Sequence, residues 1–332
     1  MDNPRSAPKD WSADLKKSLK LLIEVFEKMR VQRFKTEKFL NLDIPEIRVC
    51  CDEEKQEITG IERKIQGPSD QLVEECMLAA NSAVASELIA KGIAGLFRVH
   101  PEPDPEKIAE FSSLMAQSLH FHTGDILSSR DACIHFLESI PDDHRKPLIL
   151  SNFLRSLPRA GYSVDPAIHY GLGKVQYSHF TSPIRRYADL TVHQQLWQAD
   201  TNGRLRSKKS LKPIAEDLSD KEERNDNAYF AAVDRLKIHY LKQHGAMEDG
   251  TMYEGVITKI TSSGLVCDIA ELGLYGFVPM EKIRGGAFRR TKSKHKMKAS
   301  NSHTEYKIGD FVYLMLDSVD TVRGTAIFRP AL

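Results

Sequence analysis

The chain of 332 residues lacks a dominant charge, a cysteine framework and any long apolar run. Its 47 Lys and Arg stand against 46 Asp and Glu, a formal net charge of +1. That balance removes any global pull toward a polyanion, so affinity for nucleic acid must come from local patches. The five cysteines, Cys50, Cys51, Cys76, Cys133 and Cys267, show no Cys-x-x-Cys spacing. They read as reduced core or surface residues of a cytosolic protein rather than as a disulfide scaffold. No apolar run approaches the roughly 18 residues of a membrane span, and the N-terminus has no signal-peptide core. A cytoplasmic protein without a membrane partner is expected. There is no P-loop, dinucleotide fingerprint or nucleophile elbow, so those three chemistries find no support.

What is present begins with ordinary globular composition, 41% apolar and 28% charged, and enough length for two domains with a real core. The most informative stretch is Tyr177-Ser-His-Phe-Thr-Ser-Pro-Ile-Arg-Arg-Tyr-Ala-Asp-Leu190. Ser182-Pro183 reads as an N-cap and first helical residue, and the spacing predicts a helix from about 183 to about 197. A helix N-terminus holds an anion through its free N–H groups and its dipole. Arg185 and Arg186 in that first turn are unfavourably placed unless an anion compensates them, and a guanidinium fork matches phosphate. The alternative is a structural helix whose arginines pair with Asp189.

This stretch resembles the catalytic-domain signature of the ribonuclease II / ribonuclease R (RNB) family, processive 3′→5′ exoribonucleases. Other segments agree in order: Leu72-Val-Glu-Glu-Cys-Met-Leu-Ala-Ala-Asn81, Gly95-Leu-Phe-Arg-Val-His100, Glu222-Glu-Arg-Asn-Asp-Asn-Ala228, and Gly255-Val-Ile-Thr-Lys-Ile-Thr-Ser-Ser-Gly264, which resembles the opening of an S1-type OB fold. The resemblance implies an α+β chain in three parts. A polar leader over 1–11 precedes the C-terminal part of an RNB-type catalytic domain over 12–246, and an S1-type OB barrel follows over 250–332. It implies that Arg185 contacts the scissile phosphate and stabilises transition-state charge. Tyr177, His179, Thr181, Ser182, Arg186 and Tyr187 would position RNA backbone or that arginine. Glu74 would sit near a terminal ribose, or else serve as a first-turn glutamate of a Ser69-capped helix. Arg98 and His100 share one side of a short strand, as RNA contacts or as a satisfied structural pair.

Family members hydrolyse RNA with magnesium held by an aspartate cluster that lies upstream of every matched segment. Asp142-Asp143, the Glu102, Asp104, Glu106 group and the Glu222, Glu223, Asp226 group lack the oxygen density magnesium needs, and they read as caps or solvated faces. No metal ligand is therefore assigned. The expected function is that of the RNA-binding portion of a ribonuclease R-like enzyme, inactive alone, with single-stranded RNA and a second polypeptide bearing the acidic half as partners. A truncated gene product, or a non-catalytic RNA-binding protein derived from such an enzyme, is the alternative.

Elsewhere, Ser12 caps a helix ending near Arg33, with Leu15, Leu19, Leu22, Phe26 and Met29 as its apolar stripe. A hairpin spans 46–51 and 57–62, preceded by Leu40 and Leu42 where the family often has a base-stacking aromatic. Helices follow near 69–91, 105–119, 126–139, 145–157 and 219–243, with an extended segment over 170–178. Barrel strands are expected at 254–260, 264–269, 275–279, 311–318 and 325–328, with Tyr253, Tyr275, Phe277 and Phe288 as stacking candidates. The stretch from Arg284 to Lys298 holds seven Lys and Arg. Arg289, Arg290, Lys292 and Lys294 within it are expected to meet phosphates.

Overall fold

The computed structural model describes residues 11–42, 46–52, 54, 57–64, 66–244, 250–283, 288–290, 295–299 and 305–331. Helix α1 (Ala13–Thr36) starts where Ser12 accepts a hydrogen bond from the Leu15 N–H at 3.1 Å, as an N-cap serine should. Its apolar stripe is only partly covered: Phe26 is buried, whereas Leu15 and Leu22 are exposed. Strands β1 (Glu46–Asp52) and β2 (Glu57–Lys64) form the expected hairpin, with a bulge at Cys50/Cys51.

Helix α2 (Pro68–Ala90) departs from the expected Ser69 cap. Gly67 is the N-cap, Pro68 takes the first helical position, and the Asp70 carboxylate accepts from the Gly67 N–H at 3.0 Å. Proline is preorganised for that position, which moves the start upstream. Glu74 therefore lies in the second turn, and its reading as a first-turn glutamate falls. Strand β3 (Phe97–Val99) pairs antiparallel with β4 (Gly161–Ser163). Between them run α3 (Pro105–Leu119), capped by Asp104, then α4 (Arg130–Ser139) and α5 (Lys146–Ser156). Phe111, Phe136 and Phe153 meet at their centre, with ring centroids 5.4 to 5.7 Å apart.

The expected extended segment over 170–178 is instead a tight turn. The His169 N–H donates to the Lys174 carbonyl at 2.8 Å. Gly173 has φ +69°, and a Cβ there would lie 3.0 Å from the Lys38 carbonyl oxygen. Two glycines made the segment look extended; they serve close backbone approach. Helix α6 (Tyr187–Asp200) follows, then α7 (Lys208–His244). Helix α7 starts well before the expected position and contains Pro213. Buried Leu211 and Ala215 flank the proline and anchor the helix, so packing overrides the lost hydrogen bond.

Beyond α7 lie β5 (Met252–Ile260), β6 (Gly264–Ile269) and β7 (Leu274–Pro279), then a side sheet of β8 (Phe288–Arg290), β9 (Lys296–Ala299) and β10 (Glu305–Lys307), then β11 (Phe311–Asp320) and β12 (Thr325–Pro330). Strands β11, β12, β7, β6 and β5 close a five-stranded barrel in that order, an OB fold as expected. Leu265, Cys267 and Ile269 point inward and are buried, while Val266 and Asp268 alternate outward. One apolar cluster joins the barrel interior to α3, α4 and α5, and a second joins α2, β3, α6 and the start of α7. Among the described residues no helix is long and apolar enough to cross a membrane.

Candidate nucleic-acid interface

Asn81, buried in mid-α2, organises the signature. Its Nδ2 donates to the Tyr177 hydroxyl at 2.8 Å, and its Oδ1 accepts from the Phe180 N–H at 2.9 Å. Ser178 is fully buried and donates to the Leu96 carbonyl at 2.7 Å. The Phe180 ring stacks on His193 at 4.0 Å, and His193 Nε2–H donates to the Phe180 carbonyl at 2.8 Å. Tyr177 is thus a correction to the expected RNA contacts: its side chain is buried and its hydroxyl serves Asn81.

The segment from Ser182 to Arg186 is a turn rather than the first turn of a helix. The Ser182 carbonyl accepts from the N–H groups of Arg185 (3.3 Å) and Arg186 (3.0 Å), and α6 begins only at Tyr187, with Arg186 as an extended N-cap. The reason is Asp189. Its carboxylate is 0% exposed, and Oδ1 accepts from the Ser182 N–H and from Arg186 Nη2, both at 2.8 Å. The anion held at this helix N-terminus is therefore the chain's own aspartate. Asp189 pairs with Arg186 and leaves Arg185 out. Arg185 is exposed, and among the described residues its guanidinium has no hydrogen-bond or ion-pair partner. Ile184 beside it is fully exposed, and Tyr187 is half exposed. Thr181 Oγ1, Arg186 Nε and Asp189 Oδ2 are buried with no partner among the described residues. Buried polar atoms are normally paired, so three such orphans at one turn mark a site with unused bonding capacity.

Behind the turn lies a ladder of rings. His100, His169, Tyr177, His179 and Tyr162 follow one another edge to face, with centroids 5.3 to 5.9 Å apart. The Tyr162 hydroxyl lies 2.8 Å from His179 Nδ1. Burial, then Arg186 and Arg98, pushes the His179 imidazole down to about 3, so it is neutral at pH 7. Burial raises the Tyr162 hydroxyl to about 12. Arg98 lies 4.9 Å above the Tyr162 ring and pairs with Glu222. His100 is satisfied at both nitrogens: Nε2–H donates to the Pro158 carbonyl at 2.8 Å and Nδ1 accepts from the Gly171 N–H at 3.0 Å. Arg98 and His100 are the structural pair, a correction to Arg98 as a free RNA contact. Of the second acidic group, Glu223 and Asp226 lie on the expected solvated face, 56% and 47% exposed and paired with Arg159, while Glu222 turns in to pair with Arg98.

Of the paired glutamates, Glu74 is 47% exposed and 3.9 Å from Arg33, whereas Glu75 is 3% exposed and forms a fork with Arg33 at 2.6 to 3.0 Å. In the barrel, Tyr253 is buried and packs on Phe328, which removes it as a stacking candidate; Tyr275 is 48% exposed. Lys292 and Lys294, with the side chains of Arg289 and Arg290, lie outside the described residues. Among the described residues no three His, Cys, Asp or Glu side chains converge as a metal site. Glu75 and Asp189 are each committed to an arginine. Sequence reasoning missed Tyr162 and His169 as parts of the ladder. Asn81, in its Ala-Ala-Asn run, and Asp189, in the signature itself, carried the only available signal.

The RNB domain model matches residues 2–202, and the S1 RNA binding domain model matches residues 247–329. Ribonuclease R of Mycoplasma pneumoniae is 30% identical over 333 residues, covering 97% of this chain and 45% of that protein. Ribonuclease R of Thermotoga maritima is 29% identical over 320 residues, covering 92% and 43%. The structure of Mycoplasma genitalium RNase R in complex with ribose methylated single-stranded RNA superposes with a TM-score of 0.86 at 26% identity, covering 98% of this chain and 51% of that one. The chain thus spans about half the length of the relatives it matches. With the RNB model covering most of the residues ahead of the barrel, this chain belongs to the RNB family, its RNB portion followed by an S1 RNA binding domain.

Proposed function

We propose that the chain is the RNA-gripping portion of a ribonuclease R-like 3′→5′ exoribonuclease acting on single-stranded RNA, in a cytoplasmic setting. The observation that carries this reading is the unpaired, exposed Arg185 guanidinium on a turn fixed by buried Asp189. A guanidinium held without an internal partner is ready to take a phosphate in two parallel bonds. Neutral His179 and the orphan Thr181 hydroxyl add hydrogen-bonding capacity beside it. The single-stranded RNA bound by the Mycoplasma genitalium relative supports the ligand class. Glu74, Ser182 and Tyr187 remain proposed RNA contacts, as does the basic stretch 289–294. The acidic metal ligands are supplied from outside these residues, by a further polypeptide segment that docks on the RNB portion, so the chain alone binds RNA and does not hydrolyse it. Fluorescence anisotropy with labelled single-stranded RNA tests the binding, expected to fall at least about tenfold in Arg185→Ala, the loss of one charge-assisted contact. Magnesium-dependent release of nucleoside monophosphates by the pure chain, abolished in the same variant, would overturn the claim that it is inactive alone.

A further inference from the structure

The RNB portion and the barrel enclose a second site, distant in sequence from the signature. Helix α5 leans over the outer face of β6 and β7 and leaves a pocket of about 310 Å³, at the small end of ligand-pocket sizes. Ser151, Asn152 and Arg155 line it from the helix, and Lys259, Asp268 and Tyr275 from the barrel. The walls are firm, because α5 and the barrel interior share one apolar core through Leu148, Phe153, Leu265 and Ile269. The barrel side is shaped by a bulge: β5 and β6 slip register between Ile257 and Lys259, and a bulge re-aims side chains toward a neighbouring site.

Three features of this pocket match the base face, the phosphate and the base edge of a nucleotide. Tyr275 is 48% exposed and offers a ring face for stacking. Arg155 reaches the Tyr275 hydroxyl from the helix at 3.2 Å, with its guanidinium 5.9 Å from the ring centroid, and with Lys259 provides positive charge for a phosphate. Asp268 stands directly opposite Tyr275 across the β6–β7 ladder. Among the described residues its carboxylate has no hydrogen-bond partner, although burial opposes its charged form and Arg155 and Lys237 favour it. A half-buried carboxylate with two free oxygens is matched by two parallel N–H donors. Among the four RNA bases only guanine presents such a pair, N1–H and the N2 amino group, on its Watson–Crick edge.

We propose that the α5–barrel pocket binds one guanine nucleotide, the base stacked on Tyr275 with its N1–H and N2 amino group on Asp268, and the phosphate toward Arg155 and Lys259. The site deepens the RNA-binding reading, yet its test is separate from that of Arg185. Binding of GMP, AMP, CMP, UMP, IMP and XMP to the full chain would be measured by calorimetry. GMP is expected to bind about tenfold or more tighter than the other three RNA nucleotides, the discrimination of one good bidentate contact. IMP, which lacks the N2 amino group, should fall between. Asp268→Asn should lose GMP and gain XMP, because an amide donates to the C2 carbonyl that replaces the amino group. Tyr275→Leu should weaken all of them while preserving their order. A 5-mer with one central G against one with A distinguishes the sources. Preference in the strand without affinity for free GMP assigns the site to RNA, and both together assign it to either form. Equal affinity for all nucleotides, displacement by inorganic phosphate alone, or an unchanged order in a folded Asp268→Asn variant overturns the proposal. Loss of RNA binding in Arg185→Ala with the GMP preference intact separates the two readings.

Discussion

At the scale of single residues, adjacent arginines have opposite duties. Arg186 is spent inside the protein on Asp189, and Arg185 is left exposed, the phosphate contact proposed above. Arg186→Ala should therefore act on stability: it strands a fully buried carboxylate with only the Ser182 N–H, a loss of about 3 kcal/mol visible as a Tm drop of several degrees in thermal melts. Arg185→Ala should leave Tm within about a degree, since it removes an exposed, unpartnered side chain. The signature arginines were legible in the sequence; their division of labour was not, because it depends on which way the turn carries each side chain. The histidines give a second prediction. His179 is held down to about 3 and His169 to about 4, burial being the first cause of each. An unfolded histidine takes up a proton near 6.5, so between that value and the folded values the unfolded state binds more protons than the folded one. Stability should be full above about pH 6.5 and fall as the pH drops toward 4. Melts from pH 7.5 to 4.5 should show this, and His179→Asn should flatten the slope.

At the scale of elements, most helices and all five barrel strands were readable from periodicity and caps, with ends shifted by packing. The exceptions have physical causes. Helix α6 starts four residues late because Asp189 draws Ser182 back over the helix end. Helix α7 runs through Pro213 because Leu211 and Ala215 are held in the second core cluster. Helix α1 shows the opposite case: Leu22 of its apolar stripe, with Leu21 and Val25 beside the stripe, is left exposed. Scattered exposed apolar residues are ordinary, but a run of them along one helix is where the proposed second polypeptide segment is expected to dock. Replacing these three with Ser should lower Tm by only a few degrees, because each is already about half exposed. It should also abolish co-elution in gel filtration with a fragment carrying the acidic half of a family member, which the wild-type chain is expected to bind.

At the scale of the whole molecule, the α+β class and the closed barrel after the RNB portion followed from the matched segments and the strand pattern. The core that fuses the barrel to α3, α4 and α5 did not, since long-range packing leaves no local mark on a sequence. RNA binding should be strongly salt dependent despite the net charge of +1. Each phosphate neutralised on a single strand contributes a slope of about 0.7 in log affinity against log salt. A titration from low to high salt is expected to give a slope of several such units, reduced by about one in Arg185→Ala.

Helix α7 touches both ends of this arrangement. Toward its middle, Glu222 holds Arg98 and Ser219 accepts from the Tyr162 N–H. Near its end, Lys237 donates to the Gly273 carbonyl at 2.5 Å in a barrel turn. The 37-residue helix is continuous between these contacts, and the rise from Ser219 to Lys237 is about 27 Å, so it works as a ruler between the ring ladder and the barrel. Its graduation is fine: one residue inserted between Ser219 and Lys237 advances the barrel by about 1.5 Å and turns it by about 100°. The spacing between the ring ladder and the barrel is thus written in a residue count, a property of the backbone rather than of any side chain.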